Sequence, residues 1–138
     1  MEIDMLFTRW LLLIYILSGC YIVPVGHSGY GHYNEEPIIE GYDISCYWNS
    51  GYLDYMWSFQ GWVNHPAGQR EVSNVVVDVY RGSLMIDTFY LFYEHDGYWS
   101  VHVPERSTNL WCGDWYDIEI TAYDWDGNRD SKTVEMIY

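Results

Sequence analysis

Apolar and polar side chains alternate along most of the chain after residue 37, and this period of two predicts β-strands. In one such segment Val75, Val77 and Val79 face one way while Asp78 faces the other. Helix signals are scarce, and glycine-containing turns separate the segments. Seven strands are predicted in this way, at residues 38–48, 55–64, 75–80, 84–93, 99–103, 116–122 and 131–138. Seven strands in about 100 residues predict an all-β, seven-stranded antiparallel β-sandwich.

The apolar run Trp10–Leu17 does not alternate and predicts a different element. It is too short to span a bilayer, which takes roughly 20 residues, but it has the length of a signal-peptide core. Arg9 supplies the positive charge that such a core needs on its N-terminal side. Acidic residues near Met1 oppose that charge, so Met5 is favoured as the true start, although the sequence alone does not decide between the two.

The apolar run leads directly into Leu17-Ser18-Gly19-Cys20, which resembles the bacterial lipobox. The resemblance implies an exported lipoprotein, cut before Cys20 and held to the cell membrane or outer membrane by a palmitate-type lipid on that thiol. The alternative is an ordinary secretory leader with a chance cysteine. On the first interpretation residues 1–19 are the signal peptide, residues 20–37, rich in glycine and proline, are a flexible tether, and residues 38–138 are the folded domain.

Three short motifs in the second half of the chain resemble the immunoglobulin-like (Ig-like) modules of bacterial surfaces. They are the hairpin sequence DGYWSV at 96–101, the sequence GDWY at 113–116, which would start the sixth strand with a tyrosine corner, and the turn sequence AYDWDGN at 122–128. The resemblance covers residues 94–138 well and the first half only by its strand pattern. It implies a single Ig-like β-sandwich.

Assigning Cys20 to lipid leaves Cys46 and Cys112 as a pair in an oxidising compartment. Successive connections of an antiparallel sandwich alternate between its two ends. One end would carry the tether and the loops 65–71, 94–97 and 124–130; the other would carry the loops 49–53, 81–83 and 104–114 and the C-terminus. Both cysteines fall at the second end, which permits a disulfide. Two unpaired buried thiols are the alternative. We call these two ends the tether end and the disulfide end.

Aromatic residues are concentrated at the disulfide end. The candidate binding residues are Trp48, Tyr52, Trp111 and Trp115. Exposed tryptophan and tyrosine are typical of protein-binding hot spots, and aromatic platforms also suit sugar rings. The alternative is that these rings pack the end of the core around the disulfide.

The acidic turn at 124–130 offers oxygen ligands at alternating positions, namely Asp124, Asp126, Asn128 and Asp130. The spacing suggests a weak calcium candidate, but it does not match an EF-hand loop. An acidic hairpin turn without a metal is the simpler interpretation, and no cofactor is predicted.

The formal net charge of −14 argues against nucleic acid as a partner, because phosphate binding needs clustered cations. Histidines and serines are scattered without a catalytic arrangement, so no enzyme activity is predicted. The sequence therefore predicts a membrane-anchored, non-catalytic Ig-like module that binds a protein or a glycan. The alternative is a structural subunit of a cell-envelope complex that has no ligand of its own.

Overall fold

The computed structural model describes residues 35–137, and within them nearly every element is a β-strand. The strands are β1 (Ile38–Asn49), β2 (Asp54–Asn64), β3 (Val72–Arg81), β4 (Leu84–His95), β5 (Tyr98–Pro104), β6 (Trp115–Asp124) and β7 (Arg129–Ile137). Two three-residue 3-10 helices, Gln69–Glu71 and Glu105–Ser107, interrupt the loops. The all-β prediction and the seven antiparallel strands are confirmed.

The seven strands form one curled sheet in the order β1-β2-β5-β4-β3-β6-β7, with every neighbour antiparallel. The sheet is therefore a half-barrel, whereas the sequence predicts two packed sheets. The difference arises at the tight turn of Gly82, whose φ of 62° is accessible without strain to glycine. The turn keeps β3 and β4 paired as a hairpin from Arg81↔Leu84 to Val75↔Leu91, so the two halves of the sheet stay continuous.

The core lies on the inner face of the curl. Its completely buried side chains include Val77 of β3, Ile120 of β6, and both Trp57 and Phe59 of β2. Full burial of such side chains is worth roughly 1.5–3 kcal/mol each, which makes this inner face the main source of stability. The Trp57 ring meets the Tyr116 ring edge-on at 6.0 Å, so β2 and β6 touch across the interior although they are not neighbours in the sheet.

The two edge strands approach each other at the tether end. The backbone N–H of Ile39 in β1 donates to Oδ2 of Asp130 in β7 at 2.9 Å. The Asp130 side chain thereby satisfies the backbone N–H of Ile39 on edge strand β1, which would otherwise need an acceptor from a neighbouring strand.

The predicted signal peptide, Cys20 and all of the tether before residue 35 lie outside the described residues. Within the described part of the chain, no helix has the length and apolar character needed to cross a bilayer.

Gly61 allows the closest approach between β2 and the core of the opposite side of the curl. A Cβ at position 61 would lie 2.9 Å from Cδ1 of Ile120, which is itself completely buried. We expect Gly61→Ala to lower the free energy of unfolding by about 1–3 kcal/mol, because the core must repack. Gly41→Ala is the matched control, since its Cβ would make only an ordinary 3.6 Å contact with Trp62. Urea unfolding measures both, and equal stability of the two variants would contradict the prediction.

Candidate functional site

Cys46 of β1 and Cys112 of the 105–114 loop form a disulfide, with a Cα–Cα distance of 6.0 Å. The predicted pairing is confirmed, and the alternative of two unpaired thiols is wrong. The bond closes a loop with a sequence separation of 66. In the chain-entropy model such a cross-link stabilises the fold by about 4 kcal/mol. Both cysteines pack against the core while staying partly exposed, so the bond ties the long loop to the first strand.

Tyr116 holds the same loop from the other side. Its ring is buried in the core, and its hydroxyl accepts the backbone N–H of Trp111 at 2.8 Å. The guanidinium of Arg81 lies 5.4 Å from the ring centroid, a cation–π arrangement, and its Nη2 bonds Asp114 at 2.6 Å. The first residues of β6 and the loop before them are therefore held together by one buried side chain.

Glu105 caps the loop from within. Its Oε2 accepts the backbone N–H of Cys112 at 2.6 Å. The Glu105 carboxylate and the sulfurs of Cys46 and Cys112 all lie within 4.8 Å of one another, a spacing that would suit a metal ion. The sulfurs are joined in the disulfide, however, and a metal requires free thiolates. In the oxidised protein this cluster is therefore a structural disulfide next to a carboxylate that accepts a loop N–H.

The four predicted binding aromatics are exposed at this end. Trp48, Tyr52, Trp111 and Trp115 are 54%, 59%, 64% and 63% exposed, so their rings do not fill the end of the core. The large indoles that do pack inside are Trp57 and Trp99.

Leu53 at the tip of the β1–β2 hairpin was not predicted as part of this surface. It is 75% exposed and adopts a φ of 52°, a conformation that is uncommon for a leucine. Next to the tip, Trp48 and Tyr55 pack edge-on at 5.3 Å. The signal in the sequence was an apolar residue in a turn, directly after Tyr52 and close to Ser50 and Gly51.

Charged groups at the disulfide end are paired with one another. Arg106 lies 3.5 Å from Asp54, Arg81 lies 2.6 Å from Asp114, and Glu105 is bonded to a backbone N–H. These exposed pairs add little stability, but they match Arg81 and Arg106 with one carboxylate each.

At the opposite end, the loops 65–71 and 124–130 are bonded together. The backbone N–H of Trp125 donates to the carbonyl of Glu71 at 3.2 Å, and its indole N–H donates to the carbonyl of Arg70 at 2.9 Å. The turn at Gly97 lies at the same end, since its carbonyl accepts the N–H of Val63, near the end of β2, at 2.8 Å. The predicted grouping of these three loops at one end is what the fold produces.

The buried pair His65 and Asp124 lies at the centre of this end, with Nε2 and Oδ2 3.5 Å apart. Asn128 donates to both Asp124 oxygens, from its backbone at 2.7 Å and its amide at 2.8 Å. Burial tends to raise the pKa of the Asp124 carboxyl. The hydrogen bonds from Asn128, His65 and the Asp126 backbone outweigh that effect and lower the pKa below its ordinary value.

The residues of the weak calcium candidate make different contacts in the structure. Asp124 bonds donors within its own loop, Asp126 is exposed, and Asp130 accepts the N–H of Ile39 and lies 3.6 Å from the amine of Lys132. Among residues 35–137 these carboxylates do not form a group of three within metal-binding distance. Calcium binding there remains a weak prediction that would require this loop to rearrange.

Comparison with known proteins finds no match to this chain among protein-family models, curated proteins or solved structures.

Asp124 makes part of the stability dependent on pH. Because its pKa is lower in the folded than in the unfolded state, its contribution is present above the unfolded value of about 3.9 and is lost as the pH falls through the folded value. We expect Asp124→Asn to be less stable than the wild type at pH 7 and to lose less stability on acidification below about pH 4. Asp126→Asn, at an exposed neighbour, is the control. Urea midpoints measured across this range test the difference, and parallel curves for all three proteins would exclude it.

Proposed function

We propose that the protein is an exported lipoprotein, anchored through lipid on Cys20, whose Ig-like domain is a non-catalytic binding module for a protein or a glycan. The anchor rests on the lipobox Leu17-Ser18-Gly19-Cys20. The presence of a disulfide supports an exported protein, because such bonds persist in oxidising compartments.

The strand order supports an Ig-like domain. The halves β1-β2-β5-β4 and β3-β6-β7 have the order of the two sheets of a constant-type Ig domain, although here β3 and β4 pair and join them. Tyr116 also supports it, because its hydroxyl bonds back to the backbone five residues upstream, as in a tyrosine corner. The disulfide differs from the usual inter-sheet bond, since it joins β1 to the loop before β6.

The observation that carries the binding proposal is the exposed aromatic surface at the disulfide end. Trp48, Tyr52, Trp111 and Trp115 present large rings to solvent beside paired charges. Rings of this kind bury much area on binding at a small cost in conformational entropy. The tie between Cys46 and Cys112 and the bonds of Tyr116 hold the loops beneath them, so the surface is pre-organised.

The contacts of the buried His65 support a non-catalytic role. His65 accepts the backbone N–H of Ala67 on Nδ1, and its Nε2 lies 3.5 Å from Oδ2 of the buried Asp124, so the ring lies between the two loops at this end.

The anchor is tested by Cys20→Ser in the full chain expressed in a Gram-negative host. We expect the wild type to incorporate labelled palmitate and to sediment with membranes, whereas Cys20→Ser loses the label and becomes extractable without detergent. Cys46→Ser is the control, because it removes a thiol but leaves the lipobox intact. Equal membrane retention and labelling of Cys20→Ser would contradict the anchor.

The binding surface is tested by immobilising the full chain in detergent and applying solubilised envelope extract. We expect a component that the wild type retains to be lost from the double variant Trp48→Ala/Trp111→Ala, because truncating hot-spot rings costs at least about tenfold in affinity. Tyr42→Ala is the control, since Tyr42 is an exposed aromatic of β1 outside this surface. Circular dichroism checks that each variant is folded. If the folded double variant retains everything that the wild type does, the aromatic end is not the binding surface.

A further inference from the structure

The outer face of β4, β3, β6 and β7 carries a second set of chemistry-bearing side chains. Antiparallel register places Tyr80 beside Asp117, Asp78 beside Glu119, and Asn74 beside Tyr123. Glu135 of β7 follows Asp117 in the same row. The side chains of this face alternate with the buried valines and isoleucines of the core, so they point away from it.

Two cavities open along this face. The larger, of about 400 Å³, is lined by Asn74, Val76, Asp78, Thr88, Tyr90 and Tyr123. The smaller, of about 200 Å³, is lined by Arg81, Gly82, Trp115, Tyr116, Asp117 and Glu135. Small-molecule pockets measure roughly 300–1,000 Å³, so the larger cavity lies at the low end of that range and the smaller one lies below it. Asn74 and Arg81, which line different cavities, are separated by seven residues of β3, or roughly 23 Å of strand.

On β3, Tyr80 lies between Asp78 of the larger cavity and Arg81 of the smaller one, and Glu119 is the cross-strand neighbour of Asp78. Burial raises the pKa of the Tyr80 hydroxyl above its ordinary value, and the nearby charges of Asp78 and Glu119 raise it further. A tyrosine hydroxyl is protonated at neutral pH with or without this shift, so it can donate a hydrogen bond. The strip from Trp115 past Tyr80 to Tyr90 offers aromatic surface and hydrogen-bonding groups along most of its length.

The ring faces and the carboxylates are available to a ligand. Tyr90 is 62% exposed and Trp115 is 63% exposed. Among the contacts described for residues 35–135, the carboxylates of Asp117 and Glu135 make no hydrogen bond or ion pair. Four carboxylates on this face repel anions. The arrangement suits a ligand with C–H surfaces that pack on rings and hydroxyl groups that donate to carboxylates, repeated along an extended chain.

We propose that this outer face binds a neutral polysaccharide, with one pyranose ring packed on Trp115, another on Tyr90, and sugar hydroxyls donating to Asp117 and Glu135. This inference rests on the proposed binding function and deepens it, because it names the ligand class and extends the site from the disulfide end along the sheet. Trp115 belongs to both surfaces, Trp48 only to the disulfide end, and Tyr90 only to the sheet face. The three residues therefore distinguish the two locations.

The test is native affinity electrophoresis of the full chain, in neutral detergent, through gels that contain dextran, mannan, xylan or mixed-linkage β-glucan. We expect at least one of these polysaccharides to retard the wild type. Trp115→Ala and Tyr90→Ala should each need about tenfold more polysaccharide for the same retardation, whereas the control Tyr42→Ala should match the wild type. Asp117→Asn should weaken retardation without loss of fold, as checked by circular dichroism.

Each other outcome overturns the inference in a recognisable way. Loss of retardation in Trp48→Ala but not in Tyr90→Ala would place sugar binding at the disulfide end, which overturns the sheet-face site and retains the proposed binding function. Absence of retardation of the wild type in all four gels would overturn the polysaccharide ligand, and the envelope-binding experiment would then decide the proposed function separately. Equal weakening in every aromatic variant, including Tyr42→Ala, would indicate non-specific adsorption and also overturn the site.

Discussion

The packing of Tyr116 against Trp57 across the interior is the contact on which the rest of the described fold depends. The two rings meet at 6.0 Å and join the strands β2 and β6 from opposite sides of the curl. The hydroxyl of the same tyrosine holds the backbone of Trp111, next to Cys112 and its disulfide. A buried ring with one polar atom at the core boundary can serve both purposes, because the ring supplies apolar area and the hydroxyl satisfies a loop donor. The core, the 105–114 loop and the aromatic end are thereby held together through Tyr116.

The distribution of charge separates the two ends and the sheet face. At the disulfide end Arg81 and Arg106 are each matched by a carboxylate beside exposed aromatic rings. On the outer face Asp117 and Glu135 are unmatched, so that surface accepts hydrogen bonds and repels anions. At the tether end the carboxylate of Asp124 is bonded by its own loop, which makes it a structural group. A chain whose formal net charge is −14 thus has three surfaces of different chemistry.

Local patterns were sufficient to predict the strands, and the cysteine count predicted a disulfide that strand parity permitted. Val75, Val77 and Val79 are buried because a strand with one face on a core must alternate. Cys46 and Cys112 lie at the same end because an even number of strand crossings returns the chain to it. The exposure of Trp111 and Trp115 could not be decided in this way, since a tryptophan near a disulfide can pack inward or outward, and only the space left by neighbouring side chains settles which. The outward orientation of Tyr80 could be predicted, because this residue alternates with buried valines. The alignment of the sheet-face tyrosines across strands depends on register.

By itself, the sequence determined the all-β class, the number and places of the strands, and the end of the fold at which two cysteines could meet, because these follow from short-range periodicity and from counting. Only the tertiary structure decided that β3 and β4 stay paired, so that the halves form one half-barrel. It also decided that the rings of the disulfide end face solvent and that residues from β3, β4, β6 and β7 line two cavities on one face. These properties depend on non-local register and on how side chains from distant segments fill the same volume, which no local pattern encodes.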